Sequence, residues 1–501
     1  MTAAPPFRRL VVANRGEIAI RVMRACRELG IESVALYSDA DREARHVRAA
    51  DRAERIGPAA AADSYLSIFA VLDAARRSGA DAVHPGYGFL SENAAFARAV
   101  VEAGLAFVGP TPATLAALGD KLAARRSVHE AGVPIVPGLM VPLDDRQQDL
   151  GEVGFPALLK AAAGGGGRGM RRVDSAEALA PALAGARREA AAAFGDATVY
   201  AERLIAPARH VEVQLLGDRH GGLATLGERD CSVQRRHQKL VEESPSPAVT
   251  PQIREALFAS ARRVAGTVDF ESAATVEFLL DADGNHYFLE MNTRLQVEHG
   301  VTELVTGLDL VAWQIRIAAG EDLGSDVLES TPRGHAIEVR VYAEDPYDDF
   351  RPVAGTVTTW QMSGGPGVRV DAGIEAGTAL RTEYDPLLAK LLVHAVDRPA
   401  AVARLRRALD ETLVGGVQTD LGFHRWLVDE PGFAGGAYDT SLIAERWGGG
   451  PALSSEELRA AAAVAAEARA SASSASSSRA GGRTPSESAW ARQARREATE
   501  R

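Results

Sequence analysis

Short apolar runs alternate with amphipathic stretches along the first hundred residues. Residues 10–14 are apolar up to Asn14, residues 16–30 repeat apolar positions at helical spacing and stop at Gly30, and residues 32–38 are apolar again. That order predicts β-α-β with a right-handed crossover. Further strands are predicted at 80–84 and 106–108, with helices between them, so residues 1–115 read as an open parallel α/β domain. No G-x-G-x-x-G follows the first strand, which argues against a dinucleotide site there.

The pattern then changes. Residues 155–159 are apolar and lead through Lys160 into four glycines at 164–167, then Arg168 and Gly169. This predicts strand, mobile loop, strand, within a Gly- and Pro-punctuated lid at about 132–205. Strands and helices alternate from 206 to 330, which makes 116–330 a central domain. Residues 333–447 show short strands with Gly-rich turns followed by helices, an α+β pattern. Residues 450–501 are rich in Ala, Ser and Arg and predict a weak helix at 456–468 in a disordered tail. No internal repeat is visible.

The hairpin signals are sharper. Residues 275–280 and 286–290 are apolar-rich strands around Asp283-Gly284, a two-residue turn signal. Centring the turn on that pair sets Glu277 directly opposite Glu290. Facing like charges destabilise a ladder, and a divalent cation removes the penalty; Mg²⁺ suits carboxylates beside phosphates. Asn292, on the same face as Glu290, adds an oxygen. If the chain stays extended, Glu290, Asn292, Arg294, Gln296 and Glu298 project to one side. That face suits a small anion held by Arg and Gln beside a general base. A solvated sheet edge is the bland alternative.

His210, Glu212 and Gln214 likewise share a face of one strand, and residues 228–239 concentrate positive charge suited to a polyphosphate. Alone, that run is equally a solvated charge cluster, and the four glycines equally a linker. The loop 84–93, with glycines flanking Tyr87, follows a parallel strand, where ligands sit in such sheets. Cys26 and Cys231 lie in no catalytic cysteine motif and read as packing residues.

Composition narrows the classes. The 501 residues are 46% hydrophobic and 25% charged, as in a packed protein of about three domains. A formal charge of −11 argues against nucleic acid or an anionic membrane as partner. No apolar run reaches the ~18–20 residues that span a bilayer. Residues 1–9 lack a signal-peptide core and there are two cysteines, so the expected compartment is the reducing cytoplasm. Only four of the 56 basic residues are lysine: Lys121, Lys160, Lys239 and Lys390. In so Arg-biased a chain, a lysine marks a place where a compact ammonium is wanted.

From about residue 9 to 447 the chain resembles biotin carboxylase, of the ATP-grasp superfamily. The resemblance rests on Ala13-Asn-Arg-Gly-Glu-Ile, the loop from His84 to Asn93, Gly119-Asp-Lys, the Gly-rich flap with Arg168-Gly-Met, the run Glu228 to Lys239, and Glu290-Met-Asn-Thr-Arg-Leu-Gln-Val-Glu-His. It implies a pre-ATP-grasp α/β domain, an ATP-grasp fold with a mobile lid, and a C-terminal α+β biotin carboxylase domain. The implied reaction is ATP- and bicarbonate-dependent carboxylation of biotin through carboxyphosphate. This is the first half-reaction of a biotin-dependent carboxylase of acetyl- or propionyl-CoA type, hence a place in fatty acid biosynthesis.

The resemblance also implies roles. Lys121, Lys160, His210, Gln234, His237 and flap glycines Gly165, Gly166 and Gly167 contact ATP, with Glu202 near the adenine. Glu277, Glu290 and Asn292 hold about two Mg²⁺ or Mn²⁺ ions. Arg294, Gln296 and the Val297 backbone hold bicarbonate, and Glu298 is its base. Lys239 stabilises the phosphorylated intermediate. Arg340 stabilises the enolate-like oxygen of biotin, with Tyr87 nearby. Ala163, Gly300 and Pro366 depart from the family pattern, in the flap, beside the base and near the dimer contact.

Biotin is normally attached within Met-Lys-Met, and none of the four lysines has a Met neighbour. The expected partners are therefore a separate biotin carboxyl carrier protein and a carboxyltransferase subunit, with a homodimer of this chain. Two alternatives stay open: another ATP-grasp ligase acting on a different amide, and a non-catalytic subunit. The final acceptor, whether acetyl-CoA, propionyl-CoA, pyruvate or urea, is not legible.

Overall fold

In the N-terminal segment, five parallel strands form one sheet in the order β3-β2-β1-β4-β5. They are β1 (Arg9–Val12), β2 (Glu32–Ser38), β3 (Arg52–Gly57), β4 (Ala82–His84) and β5 (Ala106–Phe107). The structure is a computed structural model that describes residues 6–143, 150–162 and 170–449. The described residues through Gly448 belong to one compact unit. The flap glycines 165–167, Ala163 and the tail helix at 456–468 lie outside the described residues.

The helix α1 (Gly16–Glu28) follows β1 and buries Ile18, Val22, Met23 and Cys26 against Leu10 and Val12. Each such side chain contributes about 1.5–3 kcal/mol of burial. The helix ends where Gly30 takes φ +73° and the Ile31 N–H reaches back to the Cys26 carbonyl at 2.8 Å, a Schellman-type stop. The strand β3 is not legible in the pattern because it is an edge strand with charged residues on both faces: Arg52, Glu54 and Arg55 stand among its six residues.

A small antiparallel sheet, β7-β6-β8, follows: β6 (Ala157–Ala161), β7 (Arg171–Val173) and β8 (Val199–Arg203), with helix Ala176–Phe194 between the last two. Strand on either side of the glycine run is as the spacing predicts.

The central feature is an eight-stranded antiparallel sheet. Its members are β9 (Ala208–Gly217), β10 (Leu223–Arg235), β11 (Gln238–Ser244), β12 (Ser272–Asp281), β13 (His286–Asn292), β14 (His335–Tyr342) and two later strands, Leu387–Ala395 and Val368–Ala372. Their spatial order is β13-β12-β9-β10-β11-β14, then Leu387–Ala395 and Val368–Ala372. The sheet runs without interruption past residue 330, since β11 pairs with β14 over Val241↔Val339 to Ser244↔Ala336.

Register puts four charged residues in a row across four neighbouring strands. Arg229 pairs with Glu212, Glu212 with Glu277, and Glu277 with Glu290. Paired residues point to the same face of a sheet, so one face carries the row.

The turn of the β12–β13 hairpin corrects the two-residue expectation. The Asp281 N–H bonds the Asn285 carbonyl, leaving a three-residue loop with Gly284 at φ +84°. Near the turn Phe278 therefore pairs with Phe288. A β-bulge then inserts Leu289 and brings Glu277 opposite Glu290.

Candidate active site

The described candidate residues come together on one cavity of about 1110 Å³. Lys121, Lys160, Glu202, His210, Gln234, His237, Lys239, Glu277, Glu290, Asn292, Arg294, Gln296, Val297, Arg340 and Tyr87 all line it. Glu298 stands just behind the wall, fully buried.

Its place corrects a second expectation. The strand β13 ends at Asn292, and helix His299–Thr306 starts with Glu298 as its N-cap residue. The alternation 290–298 is thus not one extended face. A turn at 297–298 carries Glu298 inward, between Lys239 Nζ at 2.6 Å and Arg340 Nη2 at 2.9 Å. Burial opposes its charge, but Lys239 and Arg340 outweigh burial and hold the carboxyl well below its usual range.

Lys239 is the hub. It sits opposite Gln234 on the β10–β11 hairpin and also reaches Glu212 at 2.6 Å and Glu277 at 3.2 Å. Burial disfavours the ammonium, yet the surrounding acids keep its pKa well above the usual lysine value. Arg340, on β14, divides its guanidinium between Glu298 and Glu242 Oε1, the latter at 2.7 Å from Nε.

The acidic row is fully partnered. Glu277 accepts from His210 Nε2 at 2.7 Å, Asn292 Nδ2 at 2.7 Å and Gln296 Nε2 at 3.1 Å. Glu290 pairs with Lys121 at 3.1 Å. Glu212 is neutralised by Arg229, which is fully buried and also donates to Gln214, Thr302 and Thr275. Two groups of ligating atoms lie within 4.8 Å of one another among the described residues: His210, Glu212 and Glu277, and Glu212, Cys231 and Glu298. Glu290 stands outside both. Burial pushes the Cys231 thiol well up, so it stays protonated.

Elsewhere on the wall, Lys160 pairs with Glu202 Oε2 at 2.5 Å, and Arg125 takes the other Glu202 oxygen. His237, at φ +68° in the β10–β11 turn, is pushed below the usual imidazole value by burial and then by Lys160. It is therefore neutral near pH 7. Arg294 donates to Glu92 Oε2 at 2.9 Å, to Gln296 Oε1 at 3.0 Å and to Asn292 Oδ1 at 3.1 Å. Gly300 is packed under Leu392, whose Cδ2 would lie 2.4 Å from a Cβ at that position.

Sequence reasoning missed Glu92, Glu242, Arg125 and Glu17 as partners. Glu92 lay inside the motif 84–93 and Glu17 inside Ala13-Asn-Arg-Gly-Glu-Ile, and those motifs were the available signals. Glu242 faces Arg340 only because β11 and β14 become neighbours.

A deep cavity lined by ammonium and guanidinium groups, over an antiparallel sheet bearing a carboxylate row, suits a ligase of the ATP-grasp class, and the family matches assign the chain to it. Three family models match in chain order: "Biotin carboxylase, N-terminal domain" over 6–115, "Carbamoyl-phosphate synthase L chain, ATP binding domain" over 120–326, and "Biotin carboxylase C-terminal domain" over 338–445. The chain is 47% identical over 442 residues to a biotin carboxylase of Nostoc sp., covering 88% of this chain and 99% of that one. It is 45% identical over 441 residues to biotin carboxylase 1 of Bacillus subtilis, covering 87% and 98%. Among solved structures, biotin carboxylase from Campylobacter jejuni in an ATP-analogue complex superposes with TM-score 0.85 at 41% identity, covering 88% and 99%. A 2-oxoglutarate carboxylase biotin carboxylase domain dimer from Hydrogenobacter thermophilus, with MgADP, ADP and bicarbonate, gives 0.84 at 44%, covering 88% and 97%. The chain belongs to the biotin carboxylase family.

Proposed function

We propose that the chain carboxylates biotin at the expense of ATP and bicarbonate, as the first half-reaction of a biotin-dependent carboxylase. The observation that carries this reading is Glu298 clamped between Lys239 and Arg340 at the edge of the cavity.

Bicarbonate is a weak nucleophile and needs both a base and a cationic cradle. Arg294, Gln296 and the Val297 backbone form the cradle, and Glu298 takes the proton. A bicarbonate oxygen then attacks the γ-phosphorus, the bond to ADP breaks, and carboxyphosphate forms. Lys239 neutralises charge building on the transferred phosphoryl group. The ureido nitrogen of biotin then bonds the carboxyl carbon as the C–O bond to phosphate breaks, the released phosphate takes the ureido N–H proton, and Arg340 supports the negative charge on the ureido oxygen. Lys121, Lys160, Gln234 and neutral His237 orient the nucleotide.

The donor set fits a divalent cation. Glu277 and Asn292 are buried and Glu290 is half-buried; all three offer oxygen donors, and the two carboxylates are balanced by lysines that a cation would relieve. Bound there, Mg²⁺ or Mn²⁺ would withdraw charge from the polyphosphate.

Biotin is supplied on a separate carrier protein, the carboxybiotin formed is discharged by a carboxyltransferase subunit, and the chain works as a homodimer. The dimer named in the Hydrogenobacter thermophilus structure supports the last point. Among the described residues, no helix is long and apolar enough to cross a membrane. Cys26 and Cys231 are free and buried, which fits a reducing cytoplasmic setting.

Release of ADP, measured with and without bicarbonate and free biotin, tests the reading. ATP cleavage dependent on both is the expected result. Cleavage indifferent to biotin points to another amide substrate and overturns it.

A further inference from the structure

Three of the four lysines belong to the cavity. The fourth, Lys390, lies on strand Leu387–Ala395, opposite Arg340 on one side and Asp371 on the other. Its side chain is fully buried. A buried ammonium is costly and must place its N–H donors on strong acceptors. One N–H goes to the backbone carbonyl of Val297, at 2.6 Å. Glu17 Oε1 lies 3.5 Å away and accepts the Tyr87 hydroxyl.

These contacts make a continuous line: Tyr87 hydroxyl, Glu17 carboxylate, Lys390 ammonium, Val297 carbonyl. It joins the loop 84–93, α1, a C-terminal strand and the turn that delivers Glu298. The neighbouring acids have other arrangements. Asp371 is bound by Arg369 at 2.7 Å and Arg24 at 3.2 Å. Both Glu338 oxygens lack hydrogen-bond partners, and burial pushes that carboxyl well up. The bonds Lys390 makes therefore run from Glu17 to Val297.

The carbonyl that Lys390 grips belongs to the peptide linking Val297 to Glu298. A peptide unit is planar, so fixing its oxygen fixes the plane and the Cα of Glu298. The side-chain partners of Glu298 are Lys239 and Arg340, the two groups that the proposed reaction draws toward phosphate and biotin. When they turn to substrate, the backbone alone keeps the carboxylate in place.

We infer that Lys390 is a positioning residue for the base Glu298, acting through the Val297 carbonyl, with Glu17 and Tyr87 linking it to the biotin side of the cavity. The inference rests on the reading given under Proposed function. It predicts that bicarbonate chemistry, and not nucleotide binding, depends on Lys390.

The test is Lys390→Met in the full chain, assayed for bicarbonate-dependent ADP release with free biotin. The expected result is a loss of about 10- to 100-fold in kcat/KM for bicarbonate, the size of effect that misplacing a reacting group produces. The KM for ATP and the Kd for ADP should move by less than about twofold. A fall in all constants together, or unchanged bicarbonate constants, overturns the inference. If Lys390→Met does not fold, Glu17→Gln is measured instead; it leaves Lys390 in place but weakens its anchor. The same selective loss in kcat/KM for bicarbonate is expected, and its absence is equally fatal. A native chain without bicarbonate-dependent ADP release refutes the functional reading itself; an active native chain with unaffected variants refutes only the role of Lys390.

Discussion

Glu277 and Glu290 face each other directly across the β12–β13 ladder, and each has its own ammonium, Lys239 at 3.2 Å and Lys121 at 3.1 Å. Facing carboxylates repel, and here the repulsion is answered by cations from two other segments. On the proposed reading, Glu277 and Glu290 would hold a divalent ion that takes over that work, and both lysines would then be free for phosphate.

Removing divalent metal with a chelator should abolish ATP cleavage, and Mg²⁺ or Mn²⁺ should restore it. The double variant Glu277→Ala/Glu290→Ala should lose at least about 100-fold in kcat. Full turnover by that variant would refute the role of the pair.

Glu298→Gln keeps the shape of the side chain but removes the proposed base. Turnover should fall by about 10²–10⁴, while ADP binding measured by calorimetry stays intact. The native carboxyl is held well below its usual range by Lys239 and Arg340 against burial. It is thus ionised at every working pH, and no acid limb above roughly pH 5 should belong to it. An acid limb that vanishes in Glu298→Asp would contradict this.

Stability should carry a signature from Glu344, on the cavity wall, whose carboxyl is pushed up to about 7 by burial and then by Asp420. Its ordinary value is 4.5. As pH rises from there, the unfolded chain gives up this proton first. The contribution of the neutral carboxyl is therefore complete below the ordinary value and gone above the raised one. Glu344→Gln, which stays neutral, should raise the melting temperature over the native chain more at about pH 8 than at about pH 5. An equal difference at both pH values would count against the assignment.

Gly300 packs closely under the Leu392 side chain. A Cβ there would meet Leu392 Cδ2 at 2.4 Å and Glu338 Oε2 at 3.2 Å. Gly300→Ala should cost about 1–3 kcal/mol in denaturant melts. Combined with Leu392→Ala, the loss should be smaller than the two single losses together, because the second change opens the space the first needs. Strict additivity would mean that the methyl group escapes elsewhere.

Much of the site was legible one segment at a time. The pairing of Glu277 with Glu290 followed from the hairpin, although the turn has three loop residues and a bulge at Leu289 restores the register. Lysine scarcity marked Lys121, Lys160 and Lys239, which all line the cavity, because a compact ammonium on a flexible stem fits sites where the fixed fork of a guanidinium does not. The expectation that Glu298 projects beside Glu290 failed at Asn292, where the strand ends and a helix begins.

Local pattern determined the strands, the crossover helix and which short segments carry charge, since periodicity and turn chemistry act over a few residues. Tertiary structure decided which of those segments meet. Arg340 reaches Glu298 across 42 positions, Lys239 across 59, and Lys390 grips Val297 across 93. Such contacts depend on strand order in the eight-stranded sheet. Burial of the whole chain selects that order, and no single stretch encodes it.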